Sequence, residues 1–307
     1  MGKSVFVSYS HAQAGFVQRD LVPVLRAAGC GEVIIDRERF IAGRSLIGQM
    51  DAEQDRADVS LLLLTDSYLA SANCLHELRR AVASDPGFLL GRVVPVRLEK
   101  CALPPELQTA AGVLRVELLD RTQPPAWASL LAALDATALG TDAPHWLGAR
   151  AACERQLLAN RPVNLLVRGG ANWRALLASL AEDCALRLPT VDLSDGATVS
   201  REGLVGEILH ALGTPATVPA KPNDLAVFSR QLRHGGPHRL VLRHCHFARE
   251  RFDEYGADLF RTLRHLMDET RTLVPLFQSR EPLAALLSAV LPAECRDSLL
   301  RAELVEL

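Results

Sequence analysis

The sequence predicts two doubly wound α/β domains joined by a short linker. Three observations carry this. The chain has 307 residues, enough for two domains of roughly 150 residues, each with its own core. Short β-branched or aliphatic runs alternate with longer amphipathic ones along the whole chain. The alternation breaks once, at Gly140-Thr141-Asp142-Ala143-Pro144, where loop-forming residues cluster. The expected limits are therefore residues 1–138 for the first domain, 139–146 for the linker and 147–307 for the second domain.

In the first domain, Ser4 to Tyr9 is β-branched and aromatic and reads as a strand. Phe16, Val17, Leu21, Val24 and Leu25 form a helical stripe over 16–28, which Gly29-Cys30-Gly31 ends. Val33 to Ile35 is a short strand, followed by a charged loop over 36–43 and a helix over 46–56. Val59 to Thr65 is almost wholly apolar, as expected of a strand covered on both faces of a parallel sheet. A helix over 73–83, strands over 92–98 and 113–118 and a helix over 127–134 complete five strands. The second domain repeats the alternation. Helices are predicted over 145–160, 173–188, 200–212, 224–233, 252–269 and 282–290. Strands are predicted over 163–167, 190–193, 238–242 and 273–277, with a last edge strand over 304–307.

Composition narrows the function classes. Hydrophobic residues are 49% and charged residues 23%, which excludes wholesale disorder. Net charge is −2, and neither half of the chain is basic, so no nucleic-acid or anionic-membrane partner is expected. The longest aliphatic run, Leu61 to Leu64, is far short of the roughly 20 residues of a membrane span. Met1 leads directly into the first strand, so no signal peptide is expected. The seven cysteines are odd in number, widely spaced and free of any C-x-x-C. That pattern predicts neither a disulfide framework nor a zinc site, and it predicts a reduced, cytoplasmic setting.

Four segments of the first domain resemble Toll/interleukin-1 receptor (TIR) domains. They are Val5-Phe6-Val7-Ser8-Tyr9-Ser10, the loop Asp36 to Leu46, Leu61 to Leu78 with its S-x-x-C-x-x-E-L helix start, and Val93 to Leu98 followed by Leu103-Pro104-Pro105. They occur in order and at sensible spacing over about residues 3–136. The resemblance implies a flavodoxin-like sheet of five parallel strands. It also implies the activity of bacterial members, which cleave NAD at the nicotinamide–ribose bond with the glutamate of the C-x-x-E segment, here Glu77. The products in that family are ADP-ribose or a cyclic isomer, and the setting is bacterial anti-phage defence. NAD would be the substrate, with no cofactor and no metal.

The chemistry suits one carboxylate. Nicotinamide leaves a pyridinium as a neutral amine, so no acid need protonate it, unlike the leaving group of an ordinary glycoside. A carboxylate could then stabilise the oxocarbenium-like ribose or orient the incoming hydroxyl. On a helical wheel, Glu77 lies at the edge of the apolar arc formed by Cys74, Leu75, Leu78, Ala81 and Val82. From pattern alone it therefore reads as a solvated surface residue, and only the resemblance makes it catalytic. Substrate contacts are expected from Ser8 and Tyr9 at the end of the first strand. Further contacts are expected from Arg39, Phe40 and Gly43 on the covering loop, and from Ser67 and Tyr68 after the buried strand. Arg39 and Arg44 are candidates for the diphosphate. Plant and animal members commonly carry an aromatic residue before the cysteine, whereas this chain has Asn73.

The second domain resembles a P-loop NTPase core of the kind found in STAND-type regulators. Its Leu165 to Arg174 segment lacks the lysine and hydroxyl that meet phosphate and Mg²⁺. Its strand over 238–242 runs on to His244, Cys245 and His246 where acids would be expected. The resemblance implies an inactive regulatory or assembly domain. His244 and His246 are expected on one face of a strand with Cys245 on the other, as surface or capping histidines and not a metal site. Trp146 and Trp173 are expected in the core or an interface. The whole reads as an NAD-cleaving effector switched on by self-association, with a protein partner or trigger sensed by the C-terminal domain. The alternative is a non-enzymatic scaffold that signals through TIR–TIR contacts.

Overall fold

The structure, a computed structural model, describes residues 2–35, 46–108, 115–139, 142–168, 172–214, 225–233, 236–288, 290–291, 295 and 302–307. The chain divides into two compact units, Met1–Leu147 and Gly148–Leu307.

The first unit runs Val5–Ser8 (β1), a helical stretch over 11–27 (α1), Val33–Ile34 (β2), Leu46–Arg56 (α2), Val59–Leu64 (β3) and Asp66–Leu69 (α3). It continues through Ala72–Ser84 (α4), Val93–Arg97 (β4), Pro105–Gln108 (α5), Val116–Glu117 (β5) and Pro124–Ala133 (α6). Every strand pair is parallel, in the order β2-β1-β3-β4-β5. This is the expected flavodoxin-like order, 2-1-3-4-5. The apolar run of β3 explains its central place: Leu61 to Leu64 are each 0% exposed. α1 begins earlier than the stripe suggested, at Ser10, whose side chain accepts from the Ala12 N–H. It contains a π turn, Val17–Leu21, which ends two residues before Pro23. Proline lacks the N–H that would bond back to Arg19 and crowds that carbonyl, so the turn widens there. The short helices α3 and α5 were not predicted; a single turn leaves no periodicity to detect.

The second unit follows Ala143–Leu158 (α7), inside which the chain divides. Residues 143–146, expected as linker, are helical. Asp142 caps them, its carboxylate accepting from the His145 N–H at 3.1 Å, with Pro144 in the first turn where its missing N–H costs nothing. Then come Val163–Leu166 (β6), Trp173–Asp183 (α8), Thr190–Asp192 (β7), Arg201–Leu212 (α9), Leu225–Leu232 (α10) and His238–Arg243 (β8). Phe247–Glu250 (α11), Phe252–Arg264 (α12), Leu273–Ser279 (β9), Leu283–Leu287 (α13) and Glu303–Glu306 (β10) complete it. This sheet is also all parallel, in the order β10-β6-β9-β8-β7, so the last strand is an edge as expected. β6 is an interior strand, between β10 and β9; residues 169–171 of the expected phosphate-loop segment lie outside the described residues. Ser200 caps α9, and Gly213, at φ 66°, ends it in the left-handed conformation. The long helix expected over 252–269 is interrupted at Gly256, at φ 71° and ψ 154°. Trp146 and Trp173 are both buried, as expected of core residues.

Candidate active site at the end of the first strand

In a 2-1-3-4-5 sheet the chain leaves β1 toward one edge and returns across it to β3. The connections after these neighbours lie on opposite faces, leaving a crevice at their C-terminal ends. Ser8 is the last residue of β1, opposite Leu62 of β3. Thr65 follows β3, and its hydroxyl caps α3 by accepting from the Tyr68 N–H at 3.0 Å. Ser71 caps α4 in the same way from the Cys74 N–H, which places Glu77 on the second turn of that helix.

Three expected site residues meet here. Ser8 Oγ lies 2.5 Å from Glu77 Oε2 and 2.7 Å from the Tyr68 hydroxyl. Ser8 has one hydroxyl proton, and the carboxylate can only accept it, so Ser8 donates to Glu77 and Tyr68 donates to Ser8. Burial pushes the Tyr68 phenol well above its ordinary value; the Ser8 hydrogen bond opposes this, and the nearby Glu77 and Cys74 add to it. Tyr68 therefore remains a donor. Glu77 is only 5% exposed, which corrects the surface reading of the helical wheel. The wheel counts only the helix's own apolar residues. It cannot show that β1 and α3 present hydroxyls to the helix edge.

Sequence reasoning missed Gln54. Its Nε2 donates to the Glu77 carbonyl at 2.8 Å and reaches Ser60 Oγ at 3.4 Å. It is 4% exposed, on the inner face of α2. Gln54 lies one turn after the buried Met50 and three residues before the buried Ala57, but a polar side chain there reads as solvated from residue type alone. Around this core, Cys74 Sγ points at the Tyr9 carbonyl at 3.6 Å, and Tyr9 is buried. Ser67 is half-buried, its hydroxyl 3.0 Å from Thr65 Oγ1. Asn73 is exposed. On the rim, Asp51 pairs with His76 at 2.9 Å and Arg80 at 3.2 Å, and Arg80 also pairs with Asp55 at 2.5 Å, tying α2 to α4. Arg39, Phe40, Gly43 and Arg44 lie outside the described residues.

A second polar cluster forms at the strand ends of the second unit. β8 stops at Arg243, and His244 turns left-handed at φ 55°. The two histidines therefore do not alternate along a strand as expected, although their rings come within 5.9 Å. His244 Nδ1 lies 2.7 Å from Asp192 Oδ1, and its backbone N–H donates to Gln278 Oε1 at 2.9 Å. Ser194 donates to the same Asp192 oxygen from its N–H and hydroxyl, at 2.8 and 2.6 Å. Burial alone would raise the Asp192 carboxyl, but the bonds from His244 and Ser194 outweigh it and hold it well below the ordinary range. Burial, with Arg280 and His244 nearby, lowers the His246 imidazole. Cys245 is buried, with Sγ on the Leu242 carbonyl at 3.1 Å, and burial drives its thiol far above the ordinary value. Among the described residues, no three His, Cys, Asp or Glu side chains are grouped to hold a metal.

Residues 5–131 match the family model of the TIR domain. No curated protein sequence matches the chain. The TIR domain of the Toll-related receptor TRR-2 from Hydra magnipapillata is similar at 14% identity, over 43% of this chain and 97% of its own, with a TM-score of 0.37. A Walker-type ATPase of Pyrococcus abyssi is similar at 16% identity with a TM-score of 0.37, over 52% of this chain and about half of its own length, 52%. NtrX from Brucella abortus, in complex with ATP, aligns with all of this chain and 68% of its own at 13% identity, with a TM-score of 0.34. Among the described residues, no helix is long and apolar enough to cross a membrane.

Proposed function

We propose that the first unit cleaves NAD at its nicotinamide–ribose bond, with Glu77 as the catalytic carboxylate. The observation that supports this is a carboxylate 5% exposed, held by a serine hydroxyl at the end of β1, where a parallel sheet of this order leaves its ligand crevice. Burying a carboxylate costs stability, and such residues are kept where chemistry requires them. In the proposed step the electron pair of the C–N bond leaves with nicotinamide. The ribose C1′ gains oxocarbenium character, which the Glu77 carboxylate stabilises across a short distance in a site of low dielectric. Water then bonds to C1′ and loses its proton to Glu77, giving ADP-ribose. Attack by a hydroxyl or ring nitrogen of the same molecule gives a cyclic isomer instead.

On this reading the chain is a bacterial defence effector, and its second unit drives the self-association that brings TIR domains together. Purified protein is incubated with NAD, both dilute and concentrated with a crowding agent, and nicotinamide release is followed beside Glu77→Ala. Release by the wild type that is lost in the variant supports the reading. No release in any assembled state, from a folded protein, favours the scaffold that signals by TIR–TIR contact.

A further inference from the structure

Tyr68 and Ser8 offer almost no surface to a ligand, being 0% and 1% exposed. Both nevertheless carry hydroxyls, and these connect in sequence: the Tyr68 hydroxyl lies 2.7 Å from Ser8 Oγ, which lies 2.5 Å from Glu77 Oε2. A buried hydroxyl that served packing alone would be replaced by phenylalanine or alanine at little cost, because an unmade hydrogen bond is expensive. Here every donor is committed in one direction. We infer that Tyr68 and Ser8 are positioning residues for Glu77. The Tyr68 O–H donates to Ser8 Oγ, and the Ser8 O–H donates to Glu77 Oε2. This series fixes the rotamer of the carboxylate at the crevice. The inference rests on the proposed NAD-cleaving reading for its catalytic consequence, but not for its geometry.

The elements behind the series are rigid. Tyr68 sits in α3, whose start is fixed by Thr65, and its ring packs with Leu62, Leu64 and Leu78 in one buried cluster. Ser8 belongs to β1, hydrogen-bonded to β2 and β3 on its two sides. Gln54 holds the Glu77 carbonyl from α2, so the backbone of the residue is anchored as well as its side chain. Among the described residues, Asp51, Asp55, His76 and Arg80 lie on this side of α4 and pair with one another across α2 and α4. Without the Tyr68 donor, Ser8 is free to rotate its proton between acceptors. Without Ser8, the carboxylate loses a charge-assisted bond.

Glutamate labelled with ¹³C at Cδ in the full chain, with the Glu77 resonance assigned by Glu77→Gln, reads the series directly. Tyr68→Phe keeps the ring and removes the donor. It is expected to raise the titration midpoint of Glu77, because a donor to the charged form favours that form. Nicotinamide release is expected to fall in kcat by roughly threefold to thirtyfold with KM little changed, and Ser8→Ala to fall by about tenfold to a hundredfold. Should Tyr68→Phe fail to fold, wild-type protein grown on difluorotyrosine replaces Tyr9, Tyr68 and Tyr255 with more acidic phenols. The Glu77 midpoint then moves the opposite way, with Tyr9→Phe as the control. A Glu77 titration indifferent to both changes overturns the inference. If the wild type releases no nicotinamide, the reaction reading fails while the titration still decides the series.

Discussion

Replacing Glu77 separates catalysis from structure. Glu77→Gln keeps the shape and an acceptor for the Ser8 hydroxyl, but carries no charge. Its cost is the loss of a charge-assisted bond, and its gain is the removed desolvation of a carboxylate that is 5% exposed. These oppose one another, so Glu77→Gln is expected to change the stability of the first unit by no more than about 1 kcal/mol. Glu77→Ala is different. It leaves Ser8 without its acceptor, at about 1–3 kcal/mol, and removes one buried methylene at roughly 0.8 kcal/mol along with the carboxylate, a total near 2–4 kcal/mol. Two units need not unfold together, so a single melting temperature is the wrong readout. Hydrogen exchange of the β1 and β3 amides reports the first unit alone. Both variants are expected to lose nicotinamide release, including the one whose protection is unchanged. A Glu77→Gln protein that loses several kcal/mol of protection would refute the reasoning, because it would make the carboxylate a structural tie.

Three further outcomes follow from the geometry. Leu63→Ala in the centre of β3, where Leu63 is 0% exposed, is expected to destabilise the first unit by about 2–5 kcal/mol, read by urea titration of β3 exchange. Ala185 follows the end of α8 at φ 51° and is exposed, so Ala185→Gly is expected to stabilise the second unit by up to about 1 kcal/mol; a destabilised variant counts against the left-handed cap. Asp192 has its folded pKa below its unfolded value, so its contribution is full above about pH 4 and is lost as pH falls toward the folded value. Asp192→Asn is therefore expected to cost about 1–2 kcal/mol near neutrality and to flatten the acid dependence of β7 and β8 exchange.

The sheets were legible because a fully buried strand needs an unbroken apolar run, and Leu61 to Leu64 is one. Helix starts were legible where a side chain caps them, as at Ser200. What escaped was set by contacts distant in sequence. Glu77 is buried because Ser8, 69 positions earlier, and Tyr68 supply its partners, and no periodicity of α4 carries that fact. Gln54 was silent for the same reason. His244 looked like a continuation of the strand, but β8 ends at Arg243, and His244, paired with Asp192 and Gln278, turns left-handed. The break of α12 at Gly256 was the opposite case, since a lone glycine in a helical pattern costs about 1 kcal/mol and need not interrupt it. The candidate site was therefore half legible: Ser8, Tyr68 and Glu77 were named, but Gln54 and the arrangement into a directed series were not.

The central claim is that Glu77 cleaves NAD, and product analysis tests it most directly. Wild-type protein, assembled at high concentration, is expected to convert NAD into nicotinamide and an ADP-ribose product in equal amounts, while folded Glu77→Gln produces neither. Equal nicotinamide release from the wild type and folded Glu77→Gln would contradict the account.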